Sequence, residues 1–352
     1  ATRALAEAAQ LGDRWAVLAE ALAGTVPAHD AAILFDFPSH WALELQPHSR
    51  SLDFDAESDE PLLIVGDALF PRPTPPSRGG LYCLPVYEAL WRNNLQAAII
   101  SPDGNFERYH VIFVPQLHIA TEAHAARLRA WVEAGGTLVV GPRVGFKNES
   151  NALHEQPQPG PLTSLIGGTV REFDTREPGD TLVVDFGDEQ VEVGVWCEIW
   201  EATEGAEVLA TYEAMSAREE LQTNPKDQDI SPDRLKISAK QRPYYAGMPA
   251  VLYNRHGKGQ VITLGTMGGW RLIEHLLPQL GLQRPIVTPD NVEAVRRVGP
   301  GGNLLFLLNH TPAEQIVSIP GEWVELFEGR RASNEERLAP YGWLVLKQEP
   351  NR

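Results

Sequence analysis

Cysteine is nearly absent from this 352-residue chain: only Cys83 and Cys197 occur. No CxxC or Cys/His spacing is present, which argues against a structural zinc site and excludes a disulfide framework. Both cysteines sit in apolar contexts (LYCLP and VWCEIW), where a thiol packs as a small hydrophobe. Basic residues are also short, with 30 Lys and Arg against 47 Asp and Glu, for a formal charge of −17. Phosphate binding needs clustered Lys and Arg, so neither nucleic acid nor an anionic membrane is expected as a main partner. No apolar run approaches the ~18 residues of a membrane span, and no signal-peptide pattern opens the sequence. A cytoplasmic protein is the expectation. The P-loop spacing GxxxxGK[ST] and the zinc motif HExxH are both missing. The ten histidines are scattered, with His118 and His124 flanking a strand–helix turn and His40 and His48 in loops. Neither metal nor cofactor is expected.

What is present is alternation of strand and helix. Hydrophobic content of 43% is enough for sizeable cores, and the length fits two to three domains. Ala4, Ala8, Leu11, Trp15, Leu18 and Leu22 form one stripe of a helix over 4–22, stopped by Gly24 and Pro27. Buried strands are predicted at Ala31–Phe35, Gln96–Ile100, Val111–Val114 and Thr137–Val140. Helices are predicted at Pro85–Asn94 and after the cap Thr121, the latter ended by Gly135–Gly136. Apolar strands alternating with helices imply a parallel sheet covered on both faces, an α/β fold.

Residues 47–80 carry an acidic run and a Pro-rich stretch, and read as a long surface loop with one short strand at Leu62–Val65. Antiparallel strands follow at Thr181–Phe186, Val191–Trp200 and Glu207–Tyr212, a β-rich extension. Residues 214–245 are charged and irregular. Pro249–Asn254 and Gln260–Leu264 pair around the turn HGKG, and a helix is predicted over Trp270–Leu280. After Pro289 the chain is all-β, with five short strands (the last at Trp343–Lys347) spaced as in a small β-sandwich.

Two stretches, AAILFDFPSHWALE (31–44) and RLRAWVEAGGTLVVGPRVG (127–145), resemble the middle domain of glycoside hydrolase family 42 β-galactosidases. GMPAVLYNRHGKGQVITLGT (247–266) resembles the end of that domain, and NLLFLLNHT and LAPYGWLVL resemble the family's C-terminal domain. The resemblance implies a flavodoxin-like domain, similar to class I glutamine amidotransferases, at 31–285. It implies a C-terminal antiparallel β domain at 286–352. Residues 1–30 would correspond to the last helix of a (β/α)8 barrel, which takes roughly 250 residues. Retaining glycosidases use two carboxylates about 5–5.5 Å apart. In this family both are barrel glutamates, and no stretch here matches either motif, so the resemblance transfers no catalytic residue.

The function implied is the non-catalytic, trimer-forming portion of a β-galactosidase, whose parent reaction is hydrolysis of terminal β-D-galactosides with retention. Its partners would be further copies of itself and a catalytic barrel, in the same or a separate chain, with galactoside reached only through that barrel. The alternative is a stand-alone sugar-binding or regulatory module that pairs with a separate barrel. The packing of the first helix separates the two: Leu11, Trp15, Leu18 and Leu22 covered by this chain fit an independent protein, and exposed they fit a severed interface.

Asp36, Trp41 and Glu44 form an aromatic–carboxylate grouping just after a predicted strand, where ligands of open α/β sheets collect. They read either as a substrate-proximal or interface group, or as loop anchoring and packing. Trp41 and Trp91 are the expected subunit contacts. A cleft near Asp36, Gln116 and Arg143 is where an unrecognised activity would lie. Amidotransferase chemistry needs a nucleophile on a tight strand-to-helix turn, and neither 114–119 nor 139–144 supplies a cysteine or a glycine-flanked serine.

Overall fold

A computed structural model describes residues 2–46, 62–65, 68–71, 82–175, 182–213 and 243–348. Most of the charged stretch 214–245, and most of 47–80, lies outside the described residues. Helix α1 spans Arg3–Leu22, with Thr2 as its cap. Strand β1 is Val26–Pro27 and β2 is Ala31–Leu34, followed by α2 at Phe37–Leu45. The sequence predicts one strand in the 47–80 insertion, but there are two. Leu62–Val65 (β3) pairs antiparallel with Ala68–Pro71 (β4). Helix α3 is Cys83–Arg92, β5 Ala97–Ile100, β6 Val111–Val114, α4 Glu122–Glu133 and β7 Thr137–Val140.

Strands β2, β5, β6 and β7 pair in parallel, and they are joined on the same terms by Gly259–Leu264, the second arm of a later hairpin. Short α5 is Thr163–Ile166. The extension then runs β8 (Gly168–Thr175), β9 (Leu182–Asp185), β10 (Gln190–Ala202), β11 (Glu207–Glu213) and β12 (Pro249–His256). Next come β13 (Gly259–Leu264), β14 (Thr266–Gly268) and α6 (Trp270–Leu276). The extension is not a separate sheet: β13 hydrogen-bonds to β7 on one side and β12 on the other, fusing parallel and antiparallel halves. The result is one eleven-stranded mixed sheet, ordered β14-β10-β9-β11-β12-β13-β7-β6-β2-β5 with β8 beside β10.

Period-two alternation sends successive residues to opposite faces. Ala31 and Ile33 pack with Leu90 of α3 and Leu272 of α6. Ala32 and Leu34 pack with Leu128 and Val132 of α4. The β12–β13 turn is the two-residue loop Gly257–Lys258, with Gly257 at φ +61° in the first central position, as a II′ hairpin turn requires. Helix α6 stops four residues short of the predicted Leu280, because Pro278 has no N–H to donate to the Glu274 carbonyl. The sequence also missed β8 (GTVREFDT), whose Arg171, Glu172 and Phe173 are exposed, leaving no apolar alternation to read.

The C-terminal region is a five-stranded sheet, β1-β15-β16-β20-β18, facing a two-stranded one, β17-β19. These are Val292–Val298 (β15), Asn303–Asn309 (β16), Gln315–Ser318 (β17), Val324–Glu325 (β18), Glu335–Leu338 (β19) and Trp343–Gln348 (β20). Leu305, Leu307 and Leu346 of one sheet share a core with Val317 and Leu338 of the other. Strand β19 is also absent from the sequence reading, since its inward Glu336 reads as solvent-facing. That carboxylate is buried because Arg330 grips it with two hydrogen bonds of 2.7 and 2.8 Å.

Strand β1 belongs to this C-terminal sheet, pairing with β15. Around it the two regions are bonded together. Arg296 reaches both carboxylate oxygens of Asp30 at 2.6 and 2.7 Å. Asn94, in the left-handed region at φ +53°, donates to Thr288 Oγ1 (2.7 Å) and the Ile286 carbonyl (3.3 Å), and accepts from the Ala294 N–H (2.9 Å). Asparagine tolerates that backbone, and its amide satisfies three otherwise buried groups. Asn94→Ala should cost about 2–4 kcal/mol, measured by chemical denaturation, with the C-terminal region melting ahead of the mixed sheet in calorimetry.

Candidate functional site

Ligands of open α/β sheets collect at the carboxyl ends of the strands, so the loops after β2, β6 and β7 come first. After β2, Asp36 caps α2: its Oδ2 accepts the Ser39 N–H at 2.8 Å. Glu44 lies one turn beyond His40, its Oε1 3.4 Å from His40 Nε2. Trp41 is 56% exposed, its ring beside that of Phe37 at 5.8 Å. One helix thus carries all three residues singled out by sequence, with both carboxylates engaged in local structure and the aromatic facing outward. Trp91 is different: it lies half-buried beside His310, against the C-terminal region.

The expected cleft near Asp36, Gln116 and Arg143 does not form as a cleft. Gln116 is 1% exposed and Arg143 fully enclosed, so both belong to the interior. Arg143 follows β7 at φ +63°, a backbone region that costs a side-chain-bearing residue of order 1–3 kcal/mol. Hydrogen bonds hold it from every side. Its N–H donates to Glu198 Oε1 at 2.7 Å, and its carbonyl accepts from His118 Nδ1 at 3.0 Å, which fixes that ring's proton on Nδ1. Its guanidinium donates to Tyr82 Oη (3.1 Å) and the Gln46 carbonyl (3.0 Å), and lies 4.7 Å from the Trp196 ring centroid.

Glu198, on β10, is 1% exposed. Besides the Arg143 N–H, its Oε1 accepts from Gln158 Nε2 (3.1 Å) and Trp196 Nε1 (3.3 Å). Burial pushes its pKa up to about 7, against these donors and the Arg143 charge, which favour the anion. Burial likewise raises the Tyr82 phenol and lowers the Arg143 guanidinium. This carboxyl was not legible in the sequence, because Gln158 and Arg143, two of its three partners, lie 40 and 55 residues away.

Outside this cluster opens a cavity of about 460 Å³, between the 145–158 segment and β8. Phe146 and Phe173 supply ring surface, and His154, Gln156, Gln158 and Arg171 supply polar groups. Gln158 links the two places, since its amide reaches inward to Glu198. A second cavity, about 340 Å³, lies between α1 and the C-terminal sheet, lined by Leu11, Trp15, Leu18, Phe306, Trp343 and Val345. Leu18 is half-buried there, as is Leu22 at the end of the helix, whereas Leu11 and Trp15 stay 51% and 61% exposed. Among the described residues no three His, Cys, Asp or Glu side chains gather as a metal site, and no helix is long and apolar enough to cross a membrane.

This architecture can be set beside known proteins. Residues 29–225 match the model of the β-galactosidase trimerisation domain, and residues 291–348 match that of the β-galactosidase C-terminal domain. The chain belongs to glycoside hydrolase family 42. Within it, the chain corresponds to the trimerisation and C-terminal domains. The β-galactosidase LacZ of Heyndrickxia coagulans is 28% identical over 350 residues, 98% of this chain and 44% of that protein. The crystal structure of a Rahnella sp. R3 β-galactosidase superposes with a TM-score of 0.74 at 25% identity, over 99% of this chain and 45% of the other. The Bacillus circulans enzyme superposes with a TM-score of 0.76 at 24% identity, over 99% and 45%. The family-42 chain therefore spans less than half the length of these relatives.

The buried carboxyl generates a pH dependence. Glu198 holds its proton more tightly folded than unfolded, so the folded state binds more protons between about pH 4.5 and 7. Stability should therefore fall as pH rises through that window, by up to about 3 kcal/mol. Urea titrations of the chain and of Glu198→Gln check this: the substituted chain should lose that slope.

Proposed function

We propose that this chain is the oligomerisation portion of a β-galactosidase and that it assembles as a homotrimer through the exposed face of α2. The single observation that carries the reading is an apolar stripe on a helix of the matched trimerisation domain. Phe37, Trp41 and Leu45 recur every fourth residue and are 60%, 56% and 76% exposed. A contiguous exposed stripe of this kind marks a contact surface. Trp41 is the anchor, with Asp36 and Glu44 fixing the helix that presents it. In a ring, the same helix would lie near a neighbouring subunit's substrate.

Chemistry in this reading comes from a (β/α)8 barrel, in the same or a separate chain, that hydrolyses terminal β-D-galactosides with retention. The exposure of Leu11 and Trp15 supports further polypeptide against α1. A flavodoxin-like domain over 31–285 is supported by the parallel strands: taken in chain order, β2, β5, β6, β7 and β13 lie as second-first-third-fourth-fifth. Residues 286–352 form the C-terminal domain, and 1–30 lead into both. Cys83 and Cys197 are not joined in a disulfide, which fits a reducing compartment such as the cytoplasm.

Sedimentation of the chain at roughly 50 µM tests assembly, because subunit association is concentration-dependent. A trimer is expected. Trp41→Ala should weaken it by about 2 kcal/mol or more per interface, and Trp41→Glu with Leu45→Glu should yield monomers that still unfold cooperatively, at a melting temperature lowered only by the lost association. A wild-type chain that sediments as a monomer would overturn the proposal.

A further inference from the structure

We propose that the cavity between the 145–158 segment and β8 binds a neutral mono- or disaccharide, independently of the assembly proposed above. Its volume of about 460 Å³ falls in the range of small-molecule sites, about 300–1,000 Å³. That is room for one compact ligand.

The walls match a sugar's two kinds of surface. A pyranose offers patches of C–H that stack on aromatic rings and hydroxyls that both donate and accept. Phe146 and Phe173 line the cavity with centroids 5.9 Å apart and planes at 62°, making two walls at an angle. Each ring is held from behind: Phe146 stacks on His118 at 5.3 Å, and Phe173 stacks on Trp196 at 4.6 Å. Such pre-set rings lose little freedom when a ligand arrives.

The polar wall is equally placed in advance. Gln158 is tied by its amide to the buried Glu198 and by its carbonyl to the Val170 N–H at 2.8 Å. His154 adds an imidazole edge to the lining of the cavity. Charge selects a neutral ligand. The lining holds one charge of each sign, Arg171 and Glu172, and the chain's formal charge of −17 disfavours anions.

The test uses the full 352-residue chain, titrated calorimetrically with D-galactose and with lactose. Saturable binding of one sugar per chain, in the millimolar class, is expected. Arg171→Ala, His154→Ala and Phe173→Ala should each weaken it by roughly tenfold, the effect of one hydrogen bond or stacking contact. Three variants are used because each carries its own melting temperature as a folding check. Trp343→Ala, in the distant apolar cavity, should leave binding unchanged. Either of two results would overturn the proposal: no saturation with either sugar up to roughly 100 mM, far above a millimolar Kd, or binding that survives all three cavity substitutions. Sedimentation of the same samples reports assembly separately, so the two proposals can fail independently.

Discussion

One buried carboxyl ties together the loops beside the polar cavity. Glu198 sits on β10, yet its partners come from the turn after β7, from the 145–158 segment and from its own strand. Three donors converge on a single oxygen, which makes the carboxyl the meeting point of chain segments separated by up to 55 residues. Arg143 keeps its unfavourable backbone conformation because Glu198 takes its N–H and His118 binds its carbonyl. The floor of the polar cavity follows from the same bond, since Gln158 is oriented by Glu198. A buried network of this sort stabilises only when each member is satisfied, and it therefore specifies one arrangement of these loops.

A second constraint is continuity. Strand β13 serves both halves of the mixed sheet, so the parallel helix-covered part and the antiparallel extension share one hydrogen-bonded framework. The C-terminal region is added through side chains that satisfy backbone groups across the boundary: Asn94, Gln96 and the Asp30–Arg296 pair. Helix α1 is held more lightly. It covers the C-terminal sheet over a cavity, in whose wall Leu11 and Trp15 stay 51% and 61% exposed, while Arg14 stacks on Phe327 and Trp343 at 5.7 and 5.3 Å.

Much of the architecture was legible in the linear chain. The apolar runs at 31–34, 111–114 and 138–140 lie in strands because both their faces are buried, so every position is apolar. Thr121 is legible as a cap because capping is local. The family was legible from the order of its matching blocks. Where the reading failed, the reason was a long-range contact. β8 and β19 carry charge on or under their surfaces, and Glu336 is buried only because Arg330 reaches it. Trp91 was expected at a subunit edge, and the docking of the C-terminal region puts it inside a boundary instead.

The sequence by itself determined most of the helices and strands and the family of origin. Each of these depends on local periodicity or on residue identity, which are properties of neighbours along the chain. Only the tertiary structure decided what Asp36, Arg143 and Glu198 do. Asp36 is a helix cap, Arg143 is an interior strut, and Glu198 holds its proton near neutrality. A side chain's role in each case depends on which distant groups donate to it and on how much water they exclude. The same holds for the polar cavity, whose walls come from segments that meet only when β8 pairs with β10.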